Sequence, residues 1–436
     1  MMKKNRTIYF LLALVCLGLQ SCLFQEEDYF DDSSANRATA DVKRCSELLE
    51  AAPNGWVMEY YVGKDYSLGG ITLLCKFDGQ PVTMASQIAG ADETVSSLYS
   101  VKSEQATMLS FDTYNYLVHY FGQPQGSMAD DPNGTLGGDY EFVISDATAD
   151  RIELKGKKYG NRIVMKAFSA DQTWKQYLTR IKKVEDDAFF YEYDLRMDGL
   201  YTGQMLRSNY TFIVTYYDEV GKVHQKTVPF MFTTDGMRFH EPVTIDGQTM
   251  QNFVWKNEEI SFVCTDEGAT EVKLAGVYTA GYQSYDYYPG TYQMDFYRLN
   301  DATNQMEVAS QEIQLVKDED GKSYWLKGLE YDILVTYDKP RGGLSILPQF
   351  LKKVQGGYVY LAMWDLMNDY VLRSSAIGLI SYPTTDGIYL VDNGVWMGEI
   401  SGFIFGVYDS QDEEASFMGY TDAVAAIRLI KKTIEE

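Results

Sequence analysis

Six tyrosines crowd one short stretch of this 436-residue sequence, Tyr282, Tyr285, Tyr287, Tyr288, Tyr292 and Tyr297, around Pro289-Gly290. A phenol offers a flat apolar face with a hydroxyl at its edge, suited to stacking on sugar rings or gripping a peptide at low entropic cost. Tyr282, Tyr285, Tyr287, Tyr288 and Tyr292 are therefore the candidate ligand-binding residues. The competing reading is an aromatic hairpin whose rings pack across strands. If the rings bind ligand, alanine at 285, 287 and 288 abolishes binding and spares the melting temperature; if they pack, stability falls.

Other reactive groups are sparse. Of the three histidines, His119, His224 and His240, none has a second His, a Cys or a carboxylate at metal-site spacing on a helix, so each reads as a partly buried polar residue. No nucleophile elbow, phosphate-binding loop or dinucleotide fingerprint occurs. A glycosidase needs only two carboxylates at the right separation, which a sequence does not display. Two acidic loops, Asp130-Asp131-Pro132-Asn133-Gly134 reaching Asp139, and Asp318-Glu319-Asp320-Gly321, lack the spaced oxygens of an EF-hand and read as turns. Catalytic residues, metal ligands and cofactors are thus all assigned as none.

The amino terminus carries an address. Lys3, Lys4 and Arg6 precede an apolar run from Ile8 to Leu19, which ends at Gln20-Ser21-Cys22. The run is about a dozen residues, short of the roughly 20 a membrane-spanning helix needs, and reads as a signal peptide. Leu19-Gln20-Ser21-Cys22 resembles a bacterial lipobox, which makes Cys22 the lipidation site. Acyl chains such as palmitate contribute about 0.8 kcal/mol per buried methylene, enough in combination to hold a folded domain at a membrane. Gln25-Glu26-Glu27-Asp28 and Asp31-Asp32 follow, and Leu23 to Ala40 is polar enough to stay extended as a stalk. This acidic stretch is similar to the export signal of Bacteroidota surface lipoproteins, which implies the outer membrane and its outer face.

The whole chain has a net charge of −24, and removing the leader takes away three cations and no acid. A field of that sign repels phosphate backbones and anionic headgroups, which excludes nucleic acid as a partner and leaves lipid as the membrane contact. Beyond Cys22 the cysteines are Cys45, Cys75 and Cys264, an odd set that excludes a disulfide framework. Cys75 and Cys264 alternate with apolar residues and read as buried free thiols.

The elements that must position these groups are mostly strands. Aromatics reach 14% and period-two runs recur, so the fold class is mainly β: antiparallel meanders, forming lipocalin-like or open barrel units, with a few helices, in two or three tandem domains. Helices are expected at Asp41–Ala52 and Asp171–Val184, and helical patterns recur near Leu344–Val354 and Thr421–Glu435. Trp56-x-Met58-x-Tyr60-x-Val62 is a clean strand, and Arg151–Lys155 with Arg162–Phe168 form a hairpin. Phe232–Met237 faintly echoes Phe111–Tyr116, each followed by a histidine, a hint of tandem β units. The expected organisation is a signal peptide at 1–21, a lipidated acidic tether at 22–40, and an N-terminal β domain with flanking helices at 41–187. A second β unit at 188–270 and a C-terminal β-rich domain with a capping helix at 271–436 complete it.

The lipobox, the run Ala51-Ala52-Pro53-Asn54-Gly55-Trp56-Val57-Met58-Glu59-Tyr60-Tyr61, the segment Leu109 to Leu117 and Ile152 to Lys158 together resemble domain-of-unknown-function family 4302, Bacteroidota lipoproteins of about this length. The resemblance supplies no catalytic residues. It implies a setting beside TonB-dependent transporters and starch-utilisation-type lipoproteins that capture nutrients. The expected function is a surface-anchored, non-catalytic binding or accessory component of outer-membrane nutrient uptake, with a glycan or peptide ligand. The alternative is a surface hydrolase acting on glycan or protein.

Overall fold

The computed structural model describes residues 33–124, 134–218, 220–300, 303, 305–412 and 414–432. Cys22, the leader, most of the tether and the segment Asp130-Asp131-Pro132-Asn133 lie outside them. Helix α1, Ser34–Ala51, starts inside the segment expected to be extended. Ser33 caps it, its hydroxyl accepting from Asn36 N at 3.2 Å, and Ala35, Ala38 and Ala40 carry helix propensity through the first turns.

The next eight strands form an antiparallel meander: β1 Trp56–Val62, β2 Gly69–Phe77, β3 Pro81–Ser86, β4 Val95–Ser103, β5 Thr107–Phe111, β6 Glu141–Ala147, β7 Arg151–Gly156 and β8 Arg162–Ala167. β8 pairs with β1, so the sheet closes into a barrel. Eight strands leave an interior that side chains can fill. Here Trp56, Met58, Tyr60 and Val62 of β1 join Leu73, Cys75, Phe142, Ile152, Ile163 and Met165 in one buried core, with Cys45 and Leu49 of α1 added. Trp56 Nε1 donates to Leu49 O at 2.8 Å and ties helix to barrel. The other phase of β1, Val57, Glu59 and Tyr61, faces outward. A short helix α2, Tyr116–His119, lies between β5 and β6. Helix α3, Trp174–Asp187, sets Leu178 against Val57, Leu74, Ala85 and Phe168.

A second closed barrel follows: β9 Glu192–Met197, β10 Leu200–Ser208, β11 Thr211–Tyr217, β12 Val223–Phe232, β13 Gly236–Ile245, β14 Gln248–Lys256, β15 Ser261–Cys264 and β16 Lys273–Val277. The barrels answer the expectation of mainly antiparallel β in several units with few helices. The echo between Phe111 and Phe232 does not relate them, since Phe111 ends the fifth strand of its barrel and Phe232 the fourth. Cys45, Cys75 and Cys264 are buried free thiols.

The last sheet has twelve strands: β17 Gly290–Asn300, β18 Gln305–Lys317, β19 Ser323–Lys327, β20 Ile333–Asp338, β21 Gly343–Ile346, β22 Gln349–Val354, β23 Gly357–Asp365, β24 Tyr370–Leu372, β25 Leu379–Thr384, β26 Gly387–Asp392, β27 Gly402–Tyr408 and β28 Phe417–Lys431. Because β28 pairs with β26 on one side and β17 on the other, β17 to β21 with β25, β26 and β28 close a ring, and β27, β23, β22 and β24 extend it.

Both C-terminal helical expectations are corrected. Thr421–Glu435, expected as the capping helix, is strand through Lys431. Ala426 adopts φ 51° and interrupts the ladder, so the buried residues run 423, 424 and 425 and then 427 and 429. That phase slip makes a period-two strand imitate a helical stripe. Leu344–Val354 is two short strands, broken at Leu347-Pro348, where proline cannot donate to a helix or ladder.

The chain divides into two compact units. One comprises residues up to Val184 with Asn209–Thr211 and Thr227–Val254; the other comprises Glu185–Ser208, Phe212–Lys226 and the chain from Trp255 on. β13 and most of β14 therefore belong with the first barrel.

Candidate functional site

The outward phase of β1 supplies Glu59 and Tyr61, and the corresponding phase of β13 supplies Arg238 and His240. Glu59 accepts hydrogen bonds from Arg238 Nη2 at 2.6 Å and Lys166 Nζ at 2.8 Å. The pairing is largely withdrawn from water: the Glu59 side chain is 14% exposed and that of Arg238 25%. Burial pushes the Glu59 carboxyl up, but the two cations more than reverse this and hold it below its usual range. Burial likewise pulls on Arg238, and the Glu59 charge overrides it to raise the guanidinium further.

Tyr61 is 5% exposed, and its buried hydroxyl lies near Arg238 without a hydrogen bond of good geometry. Its ring centroid sits 4.2 Å from that of His240, which in turn lies 4.3 Å from Tyr66, and the two tyrosine rings meet edge-on at 6.0 Å, so the three rings form one cluster. Two local devices build this cluster. Asp65 and Tyr66 both take left-handed φ, 53° and 59°, in the turn after β1, a conformation uncommon outside glycine. β13 loses register with β14 between Arg238 and Val243, and Gln251 Nε2 satisfies the freed carbonyls of Phe239 and His240 at 3.2 and 3.4 Å. Burial, then the charges of Arg162 and Arg238, push the His240 imidazole below its ordinary value against an opposing pull from Glu241.

These groups line a cleft of about 1000 Å³, walled also by Arg151, Glu153, Lys155, Arg162, Glu241 and Asn252. Five cations face three carboxylates there, although the chain as a whole is strongly acidic. Arg151 pairs with Glu153 at 2.9 Å and Lys166 with Glu59. Lys155 and Arg162 have no ion-pair partner among the described residues, and they stand directly opposite each other on β7 and β8. Like charges facing across a ladder are destabilising.

The loop joining those strands is held by Asp139, whose buried carboxylate accepts from Lys158 N at 2.8 Å, Tyr159 N at 3.0 Å and Asn161 Nδ2 at 2.9 Å. Gly156 is required beside it, because a Cβ there would lie 1.8 Å from Asp139 Oδ2. Asp139 is thus occupied as a loop anchor. Asp318 and Asp320 are similarly engaged, with Trp325 Nε1 and with the Lys322 and Ser323 amides.

The five candidate tyrosines do not share an open face. Tyr288 and Tyr292 are 0% exposed core residues, and their hydroxyls donate to Gly342 O at 2.9 Å and Tyr288 O at 2.7 Å. Tyr285 stacks on Tyr324 at 4.7 Å and donates to Ser323 O at 2.8 Å. Tyr282 lies against Phe189 and accepts from Tyr337 Oη at 3.2 Å. Tyr287 is exposed, with Lys431 Nζ 4.9 Å from its ring centroid. A full aromatic face cannot meet a ligand from inside a core, so Tyr288 and Tyr292 are corrected to structural residues. Of the remaining histidines, His119 stacks on Tyr140 and His224 bonds Asp218 at 2.9 Å.

A second cleft, about 700 Å³, lies in the other unit and is rich in rings. Its cation, Arg373, is already committed, 4.2 Å and 4.8 Å from the Tyr408 and Tyr360 ring centroids and bonded to Asp412 O.

Sequence reading missed Glu59, Tyr61, Tyr66, Lys155, Arg162, Lys166 and Arg238 as a group. The usable signal was a carboxylate and a phenol on the outward phase of a strand whose inward phase was plain.

No curated protein matches the chain. Among solved structures, a protein of unknown function from the DUF3598 family of Nostoc punctiforme is similar at 9% identity and a TM-score of 0.15, covering 89% of this chain and 99% of that one. A Trp-176-Ala mutant of transferrin binding protein B from Haemophilus parasuis is similar at 12% identity and a TM-score of 0.12, covering 84% and 67%. At such scores neither carries an argument. The model of DUF4987, a domain of unknown function, matches residues 265–404. The model of DUF4302, likewise a domain of unknown function, matches residues 26–257, more than half of the sequence, and the chain belongs to that family.

Proposed function

We propose that this protein is a lipid-anchored binding protein on the outer face of an outer membrane, a non-catalytic component of nutrient uptake that engages its ligand in the cleft between β1, β7, β8, β13 and β14. The cleft carries the reading: it is open, polar and of small-ligand size, at the upper end of about 300–1,000 Å³. The first barrel's interior, by contrast, is filled by its own side chains. The anchor rests on Leu19-Gln20-Ser21-Cys22 and the acidic residues after it.

The cleft chemistry favours binding over hydrolysis. A glycosidase acid must hold a proton near neutral pH, which needs a raised carboxyl pKa. Glu59 is held ionised instead. Two measurements test the reading. Intact cells expressing the wild type should expose the protein to added protease, while Cys22→Ser should lose acyl labelling and membrane association. Protection from protease, or turnover of a glycan or peptide by purified protein, overturns it.

A further inference from the structure

Resting on the binding-protein reading above, we infer that the cleft's ligand is an acidic sugar, its carboxylate or sulfate group held between Lys155 and Arg162 and its ring laid along the aromatic wall. Two independent observations meet here. The first is electrostatic. Cross-strand neighbours of opposite sign, or neutral ones, would serve the β7–β8 hairpin better than two facing cations. Nearby Arg238 is neutralised by Glu59, whereas neither member of this pair forms an ion pair with a carboxylate among the described residues. On a chain of net charge −24, a cationic pocket is where an anionic group is selected. Guanidinium fits planar, two-oxygen acceptors, and the ammonium beside it adds a point charge.

The second observation is the ring cluster. His240, Tyr61 and Tyr66 pack against one another in one cluster, and Tyr66 is placed by two consecutive left-handed residues. A cationic clamp next to an amphipathic aromatic surface matches a ligand with charge on one edge and C–H groups on its face, which describes a uronate or sulfated sugar ring.

The test uses full-length protein in detergent and calorimetric titration with three probes: an oligogalacturonate, a sulfated chondroitin oligosaccharide and neutral maltohexaose. Binding of either acidic probe, weakening as sodium chloride rises, is expected. Lys155→Gln/Arg162→Gln should weaken it at least tenfold without lowering Tm, and Tyr66→Ala should weaken it too. Binding of an acidic sugar that is unchanged in the double variant overturns the proposed contact. If maltohexaose binds as well as the acidic probes, and only Tyr66→Ala affects it, the acidic ligand falls and the binding-protein reading stands. If no probe binds but a peptide does, the sugar assignment falls alone. Turnover of any probe overturns both.

Discussion

In the tyrosine-rich segment, the two fully buried hydroxyls have each found a carbonyl: Tyr288 reaches Gly342, and Tyr292 reaches Tyr288. In the cleft, Tyr61 buries its hydroxyl without a well-formed bond, and Lys155 and Arg162 face each other without an ion-pair partner among the described residues. The first region is a satisfied network, which rigidifies a core. The second retains unmet polar capacity. The suggestive residues of the tyrosine segment were consumed by packing, while the cleft gathers its groups from the β7–β8 hairpin and from the sequence-distant strands β1 and β13 and keeps them available.

The comparison breaks most visibly at the tyrosines. Replacing Tyr285, Tyr287 and Tyr288 together with alanine should destabilise the protein by several kcal/mol, because truncating even one buried aromatic costs about 3–5 kcal/mol. Denaturant titration checks this, and an unchanged midpoint would return the segment to the surface. Next in size is Glu59→Ala, which strands Arg238 beside Tyr61. Removing one partner of a buried pair costs about 3–5 kcal/mol, reduced here to about 2–3 kcal/mol by residual exposure and by Lys166 being able to turn to solvent.

Acid sharpens the contrast. Glu59 titrates lower in the folded chain than in the unfolded one, so its contribution is complete above pH 4.5, its ordinary value, and is lost as pH falls through the folded value. Asp295, in the other unit, is held at about 2 by hydrogen bonds from Gln293, Arg428 and Ser310, so its contribution fades between 3.8 and about 2. Glu59→Gln and Asp295→Asn should each flatten their own part of the acid limb of a Tm-versus-pH curve. His240 behaves as a base with a depressed value: above 6.5 it is neutral in both states, and below 6.5 the unfolded chain takes the proton more readily. Stability should therefore slip as pH falls below 6.5, and His240→Gln should remove that slope. The smallest effect belongs to Lys155→Gln alone, which should raise stability by a few tenths of a kcal/mol by relieving the Arg162 repulsion, read as a small upward shift of Tm.

Much of this was legible in advance. Alternation along Trp56–Val62 and the Arg151–Phe168 hairpin located strands, but left unread that Lys155 opposes Arg162 across that hairpin. The partner of Glu59 was not legible, since nothing local to β1 announces a strand that arrives some 180 residues later. The two misread C-terminal helices share a physical origin. Irregularities at Ala426 and Leu347-Pro348 shift the inward phase by a residue, and a shifted period of two is hard to distinguish from 3.6 over ten positions. The tyrosines were misread for another reason: pattern gives burial on one face of a strand, but not whether a phenol at its margin finds a carbonyl.

β28 has a consequence in the order of synthesis. Each barrel of the meander type closes with strands made in succession, and most of its pairing is available as each hairpin emerges. β17 must instead wait for β28, as in the pairing of Tyr292 with Lys431, and β26 and β27 wait for the same strand. Until it arrives, three strands present open edges to other chains. Non-local closure of this kind folds slowly. A nascent or clipped chain lacking β28 would therefore be the sticky form of this sheet, and β28 acts as its latch.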